Sequence, residues 1–144
     1  MMKSTLLVVE DDEAILHLID VALTMSYYKV IKAKTGREAD FRIRTEHPDI
    51  ILLDLSLPDI DGLSLIKRLR ECVDTPIIVI SARTEEETIV KALDYGANDY
   101  MTKPFNIDEL QARIRVALRV SKRPDTMQNN FENGPLIIDF SGNS

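Results

Sequence analysis

At 144 residues the chain can bury one good core and carry an appendage, but it is too short for two complete domains of ordinary size. With 44% hydrophobic and 29% charged residues of both signs interspersed, its composition excludes a disordered tail, and no apolar run reaches bilayer length. A net charge of −6 makes these residues a poor binder of nucleic acid by themselves, and a single cysteine, Cys72, excludes an internal disulfide framework and fits a reducing compartment.

Met1-Met2-Lys3-Ser4-Thr5 leads into a strand without a secretory pattern, so a cytoplasmic location is expected. The first apolar run, Thr5–Val9, ends in Glu10-Asp11-Asp12, and the following helical spacing puts Ile15, Leu18, Ile19 and Ala22 on one face. Asp12 is expected to cap that helix. A second strand is predicted over Tyr28–Ile31, where the lysines of Tyr28-Lys29-Val30-Ile31-Lys32 suit a sheet edge, and a less regular helical pattern covers Thr35–Glu46. His17 reads as a partly exposed helix residue and His47, before Pro48, as part of a loop.

The third strand, Ile50–Leu53, runs into Asp54 and then Leu-Ser-Leu-Pro58-Asp-Ile-Asp-Gly62, in which Pro58 and Gly62 shape the loop. Leu63, Ile66 and Leu69 share a helix face, with Cys72 expected to pack at the helix end. A fourth strand over Ile77–Ile80 precedes a helix placing Val90 and Leu93 together. A short strand near Asp99–Thr102 leads to Lys103-Pro104, and the last helix aligns Leu110, Ile114, Ala117 and Leu118. After Val120 the sequence turns polar and aperiodic, then offers one strand-like run near Phe131–Phe140, which cannot form a domain alone.

Strands alternating with helices predict an α/β fold: a doubly wound, flavodoxin-like (βα)5 parallel sheet. The first, third and fourth strands are apolar without alternation and belong in the centre, which gives the order 2-1-3-4-5. Glu10, Asp11 and Asp54 then gather at the switch point on the carboxyl ends of neighbouring strands, about 4.8 Å apart. Carboxylates so close repel unless a cation joins them, and an all-oxygen set suits magnesium better than zinc. Asp54, closing a buried strand, has the chemistry of a nucleophile toward phosphorus, with Mg2+ and Lys103 offsetting phosphoryl charge.

The pattern Val-Val-Glu10-Asp11-Asp12, Asp54-x-x-x-Pro58-x-x-Asp61-Gly62, Ser81-Ala82 and Lys103-Pro104-Phe105 resembles the receiver domain of two-component response regulators. Asn133-Gly134-x-Leu-x-Ile-Asp139 resembles the opening strand of the winged-helix output domain of the OmpR/PhoB class, and within that class the chain is similar to regulators of the potassium-transport operon. The resemblance implies a receiver over residues 1–120, a linker over 121–132, and the start of a truncated DNA-binding domain over 133–144. It implies that Asp54 accepts a phosphoryl group from a sensor histidine kinase. Asp11 would ligate Mg2+ directly, Glu10 through water and Ser56 through its backbone carbonyl. Lys103 and Ser81 would contact the phosphoryl group, Tyr100 would turn inward with Ser81, and Lys103–Pro104 would be cis. The plainer alternatives are that Ser81 is a helix cap, Tyr100 ordinary core and Lys103 a surface lysine, although the place of Lys103 after the last strand and before Pro104 favours a functional role.

The resemblance further implies a homodimer on phosphorylation, through a face carrying Lys91, Asp94, Asp99, Glu109, Arg113 and Arg119. Opposite charges on one patch suit a twofold interface. The chain departs from the class at Ile89, where a lysine is usual, and at Asn98 and Val120, where an aspartate and arginine pair is usual. The expected function is control of transcription through promoter DNA bound by the missing domain, with no membrane partner and no enzymatic turnover beyond self-phosphorylation and slow self-dephosphorylation. A stand-alone receiver acting through protein contacts is the alternative. A flavodoxin-like cofactor binder conflicts with acids at Glu10-Asp11-Asp12, where phosphate would need amides. A phosphohydrolase would need a second acid or base beside Asp54.

Overall fold

The computed structural model describes residues 3–122. Five strands alternate with five helices: β1 (Thr5–Val9), α1 (Glu13–Met25), β2 (Lys29–Ala33), α2 (Gly36–Glu46), β3 (Ile50–Leu53), α3 (Gly62–Cys72), β4 (Ile77–Ser81), α4 (Glu86–Tyr95), β5 (Asp99–Thr102) and α5 (Ile107–Lys122). The strands form one parallel sheet in the order β2-β1-β3-β4-β5, as the patterning predicts. The lysines of β2 are exposed on its edge.

Because successive side chains of a strand point to opposite faces, each central strand supplies two cores. Leu7, Val9, Leu53 and Val79 pack with Ala39 and Ile43 of α2 and with Ile66 and Leu69 of α3. Leu6, Val8, Leu52 and Ile78 pack on the other face with Leu16, Ile19 and Leu23 of α1 and with Leu110 and Ile114 of α5. Each such fully buried Leu, Ile or Val contributes about 1.5–3 kcal/mol relative to exposure.

Two helix faces differ from the sequence reading. In α1 the buried residues are Leu16, Ile19 and Leu23, while Leu18 is 51% exposed. Glu13, His17, Asp20 and Thr24 share one narrow polar stripe, and the apolar arc left over is wider than one core face, so periodicity cannot choose between overlapping stripes within it. In α4 the buried side are Thr88 and Ala92, with Val90 and Leu93 outward. Cys72 is exposed instead of packing at the end of α3. β2 begins one residue later than expected and runs on to Ala33, β4 extends through Ser81, and α5 continues to Lys122, into the segment read as linker. The rest of that linker and the winged-helix reading of 133–144 lie outside the described residues.

Local signals set the helix starts. Asp12 caps α1, its carboxylate accepting from the amides of Ala14 and Ile15 at 3.0 and 3.2 Å. Thr35 caps α2 and Asp61 caps α3. Gly62 is required because a Cβ there would collide with the Leu55 backbone, where the Gly62 amide donates to the Leu55 carbonyl at 2.9 Å.

Candidate functional site

The register of β1 on β3 pairs Val9 with Leu53, so the residues that follow, Glu10 and Asp54, leave the sheet side by side. The Asp54 amide donates to the Val9 carbonyl at 2.9 Å and the Glu10 amide to the Ala33 carbonyl at 2.9 Å, extending both ladders by one bond. Glu10 and Asp54 are 2% and 5% exposed, whereas Asp11 is open to solvent. One carboxylate oxygen from each of Glu10, Asp11 and Asp54 lies within 4.8 Å of the others.

Lys103 completes the group from the end of β5. Its Nζ lies 2.9 Å from Glu10 Oε1 and 3.4 Å from Asp54 Oδ2. Glu10 Oε2 accepts from the Asp12 amide at 3.1 Å, and Asp54 Oδ1 accepts from the Ser56 amide at 3.3 Å. Burial pushes the Glu10 carboxyl above its ordinary value, and the neighbouring Asp54 charge adds to this against the opposing pull of Lys103 and the Asp12 amide. Burial works against the charge of Lys103, yet the hydrogen bond to Glu10 and the charges of both acids outweigh it and hold the ammonium above its usual range.

Three carboxylates against one ammonium leave an excess of negative charge in a partly buried space, and every donor is a hard oxygen. That donor set fits Mg2+, which takes carboxylates together with retained waters and phosphate oxygens. Asp11, exposed and without a resolved pairing to Lys103, is the acid best placed to face an incoming ion.

Ser81 ends β4 fully buried, its Oγ accepting from the Arg83 amide at 3.0 Å, and its carbonyl accepts from the Lys103 amide at 2.8 Å. It does not cap α4, which starts at Glu86 behind Glu85. Tyr100 is half-buried against the core, and its hydroxyl donates to the Arg83 carbonyl at 2.7 Å. Tyr100 is thus joined to the loop that Ser81 begins. Ser56 is exposed next to Asp54 and pairs across its loop with Asp61. The Lys103–Pro104 bond is cis.

The residues expected on the dimer face are separate from this acidic site. Asp99 accepts two bonds from Arg113, at 2.9 and 2.8 Å, and Arg113 also holds Glu109 at 2.9 Å, all within one chain. Lys91 pairs with Glu87 at 3.3 Å, while Asp94 and Arg119 are exposed. Val90, Leu93, Val116 and Val120 lie outward on α4 and α5. Asn98 accepts from the Ile77 amide at 2.9 Å and from Arg70, whose guanidinium also bonds the Gly96, Val73 and Thr75 carbonyls.

Sequence reasoning missed three connections: Arg70 at the opposite end of the sheet, Arg83 facing Asp61 at 3.6 Å, and Asp59, which accepts from the Gly36 and Arg37 amides. Only the turn composition around Pro58 hinted at Asp59, and nothing in the pattern named its partner.

Residues 6–115 match the response regulator receiver domain, and the chain belongs to that family: it is the receiver of a two-component response regulator. Among curated proteins it is 58% identical to the transcriptional regulatory protein KdpE of Staphylococcus aureus (strain NCTC 8325 / PS 47), over 99% of this chain and 62% of that protein. It is 47% identical to the KDP operon transcriptional regulatory protein KdpE of Escherichia coli (strain K12), over 81% of this chain and 52% of that protein. The chain therefore spans between half and two thirds of the length of these relatives. Among solved structures, the receiver domain of the Francisella response regulator 1452 is similar with a TM-score of 0.80 and 36% identity, covering 83% of this chain and 100% of that one. The BeF3-activated receiver domain of Klebsiella pneumoniae RstA gives 0.78 and 33%, covering 81% and 99%.

Proposed function

We propose that Asp54 is the phosphoacceptor of this receiver and takes its phosphoryl group from a sensor histidine kinase. The observation that carries the reading is a buried Asp54 in contact with Lys103 and flanked by Glu10 and Asp11. An Asp54 carboxylate oxygen forms the new O–P bond as the P–N bond to the kinase imidazole breaks, and the imidazole leaves with the electron pair. Lys103 donates to a phosphoryl oxygen from its place beside Asp54, and Ser81 offers its hydroxyl from the next strand. Glu10, Asp11, Asp54 and the Ser56 backbone carbonyl would hold Mg2+, which when bound supplies charge neutralisation on the phosphoryl oxygens.

The added charge biases the Ser81–Arg83 loop and Tyr100 toward a second arrangement, and the face of α4, β5 and α5 then joins a second copy. The exposed Val90, Leu93, Val116 and Val120, on the same two helices as Lys91, Asp94 and Arg119, support such an interface. Names of the longer relatives as transcriptional regulators support control of promoter DNA through sequence beyond the receiver. On this reading the protein is a regulator and not an enzyme with a separate substrate. It acts in the cytoplasm; among the described residues no helix is long and apolar enough to cross a membrane.

Treatment with a small phosphoryl donor, followed by intact mass, tests the assignment. One phosphoryl group should be added with Mg2+ present, and none in the Asp54→Ala variant or after chelation. Equal labelling of the wild type with and without Mg2+ would contradict it.

A further inference from the structure

Ser56 lies on a loop, residues 55–61, whose base is closed by its own pairings: the Gly62 amide to the Leu55 carbonyl and Ser56 against Asp61. Those bonds fix the shape of the loop, and the Ser56 amide bond to Asp54 Oδ1 ties its start to the acids. A second tether holds the tip. Asp59 Oδ1 accepts from the Gly36 amide at 2.8 Å and Oδ2 from the Arg37 amide at 3.0 Å, so the carboxylate takes two of the free donors at the start of α2. Ile60 lies so close to Gly36 that a Cβ on Gly36 would collide with its side chain. The bonds from Gly36, then Arg37, hold the Asp59 carboxyl below its ordinary range, as expected for an anion seated on helix amides.

The start of α2 is itself tied to the acidic site. Ala33, three residues before Gly36, accepts the Glu10 amide, and Asp54 bonds back to Val9. A ring of backbone-anchored bonds therefore runs from Glu10 through Ala33, Gly36 and Asp59 to the Ser56 loop and returns through Asp54. We infer that Asp59 is a positioning residue for cation binding: seated on the first two amides of α2, it sets where the Ser56 backbone stands relative to Glu10, Asp11 and Asp54. This rests on the proposed Mg2+ site, and it adds a residue that touches neither metal nor phosphoryl group.

Thr35 supplies the control. It caps the same helix, its Oγ1 accepting from the Glu38 amide at 3.0 Å, and among the described residues no hydrogen bond joins it to the loop. Titration of wild type, Asp59→Ala, Asp59→Asn and Thr35→Ala with Mg2+, followed through amide chemical shifts of residues 54–62, separates helix capping from loop placement. Asp59→Ala should raise the Mg2+ concentration at half-saturation about tenfold, the size of effect usual for groups that orient metal ligands. Asp59→Asn, which keeps one acceptor, should fall between, and Thr35→Ala should stay within about twofold of wild type, the change expected when no ligand moves. Equal shifts in Asp59→Ala and Thr35→Ala, or none in Asp59→Ala with dispersed native spectra, would overturn the inference. A wild type without Mg2+-dependent shifts would overturn the cation site itself, and the inference with it.

Discussion

Lys103 is the residue on which the electrostatics of the site turn. Its ammonium is the one cation within salt-bridge reach of both buried acids among the described residues. Removing one partner of a buried pair leaves the other unpaired, a loss of about 3–5 kcal/mol in full burial. Lys103 is 16% exposed and Glu10 can take up a proton, so Lys103→Met is expected to cost about 2 kcal/mol in urea unfolding, with added Mg2+ recovering part of it. Asp59 gives a pH signature of opposite origin. Its folded carboxyl sits below the unfolded value, so its contribution is present above about pH 4 and disappears as pH falls through the folded value. Melting temperatures measured from neutral to strongly acidic pH should fall less steeply in Asp59→Asn than in wild type. Glu10, Asp11, Asp54 and Lys103 were legible in the sequence because each ends or follows a strand-length apolar run. Asp59 and Arg70 were not, because a side chain bonding distant backbone leaves no periodicity behind.

The elements show where periodicity decides and where it does not. The strand order followed from uninterrupted apolar runs at β1, β3 and β4 and from lysines on β2. The face of α1 was read only in part, because the expected stripe of Ile15, Leu18, Ile19 and Ala22 overlaps the buried one of Leu16, Ile19 and Leu23, with Ile19 common to both. Substitution distinguishes the two. Leu16→Ala should destabilise by about 2–5 kcal/mol, whereas Leu18→Gln should stay within about 0.5 kcal/mol of wild type in chemical denaturation. At the first residue of α3, Gly62→Ala forces a methyl group against the Leu55 backbone, which cannot swing aside as a side chain would. That strain is expected to cost about 3 kcal/mol by the same assay.

For the molecule as a whole, the sheet holds the acidic site at one set of strand ends, while exposed apolar residues stand on α4 and α5. Sedimentation of phosphorylated and unmodified chain should show a dimer only in the former. Leu93→Glu, on the outer surface of α4, should abolish the dimer while leaving phosphorylation intact. The family was legible from motif order and the fold from the alternation of apolar runs with helical patterns, but the Asp99–Arg113 pair closes within one chain, a geometry that sequence spacing could not distinguish from a contact between copies.

The claim beneath all of this is that Asp54 carries the phosphoryl group in a Mg2+-dependent acyl phosphate. Borohydride converts an aspartyl phosphate to homoserine, so reduction after exposure to a small phosphoryl donor, followed by peptide sequencing, locates the modified residue directly. Homoserine should appear at position 54 and only when Mg2+ was present; its appearance at another aspartate, or at position 54 regardless of the cation, would contradict the account.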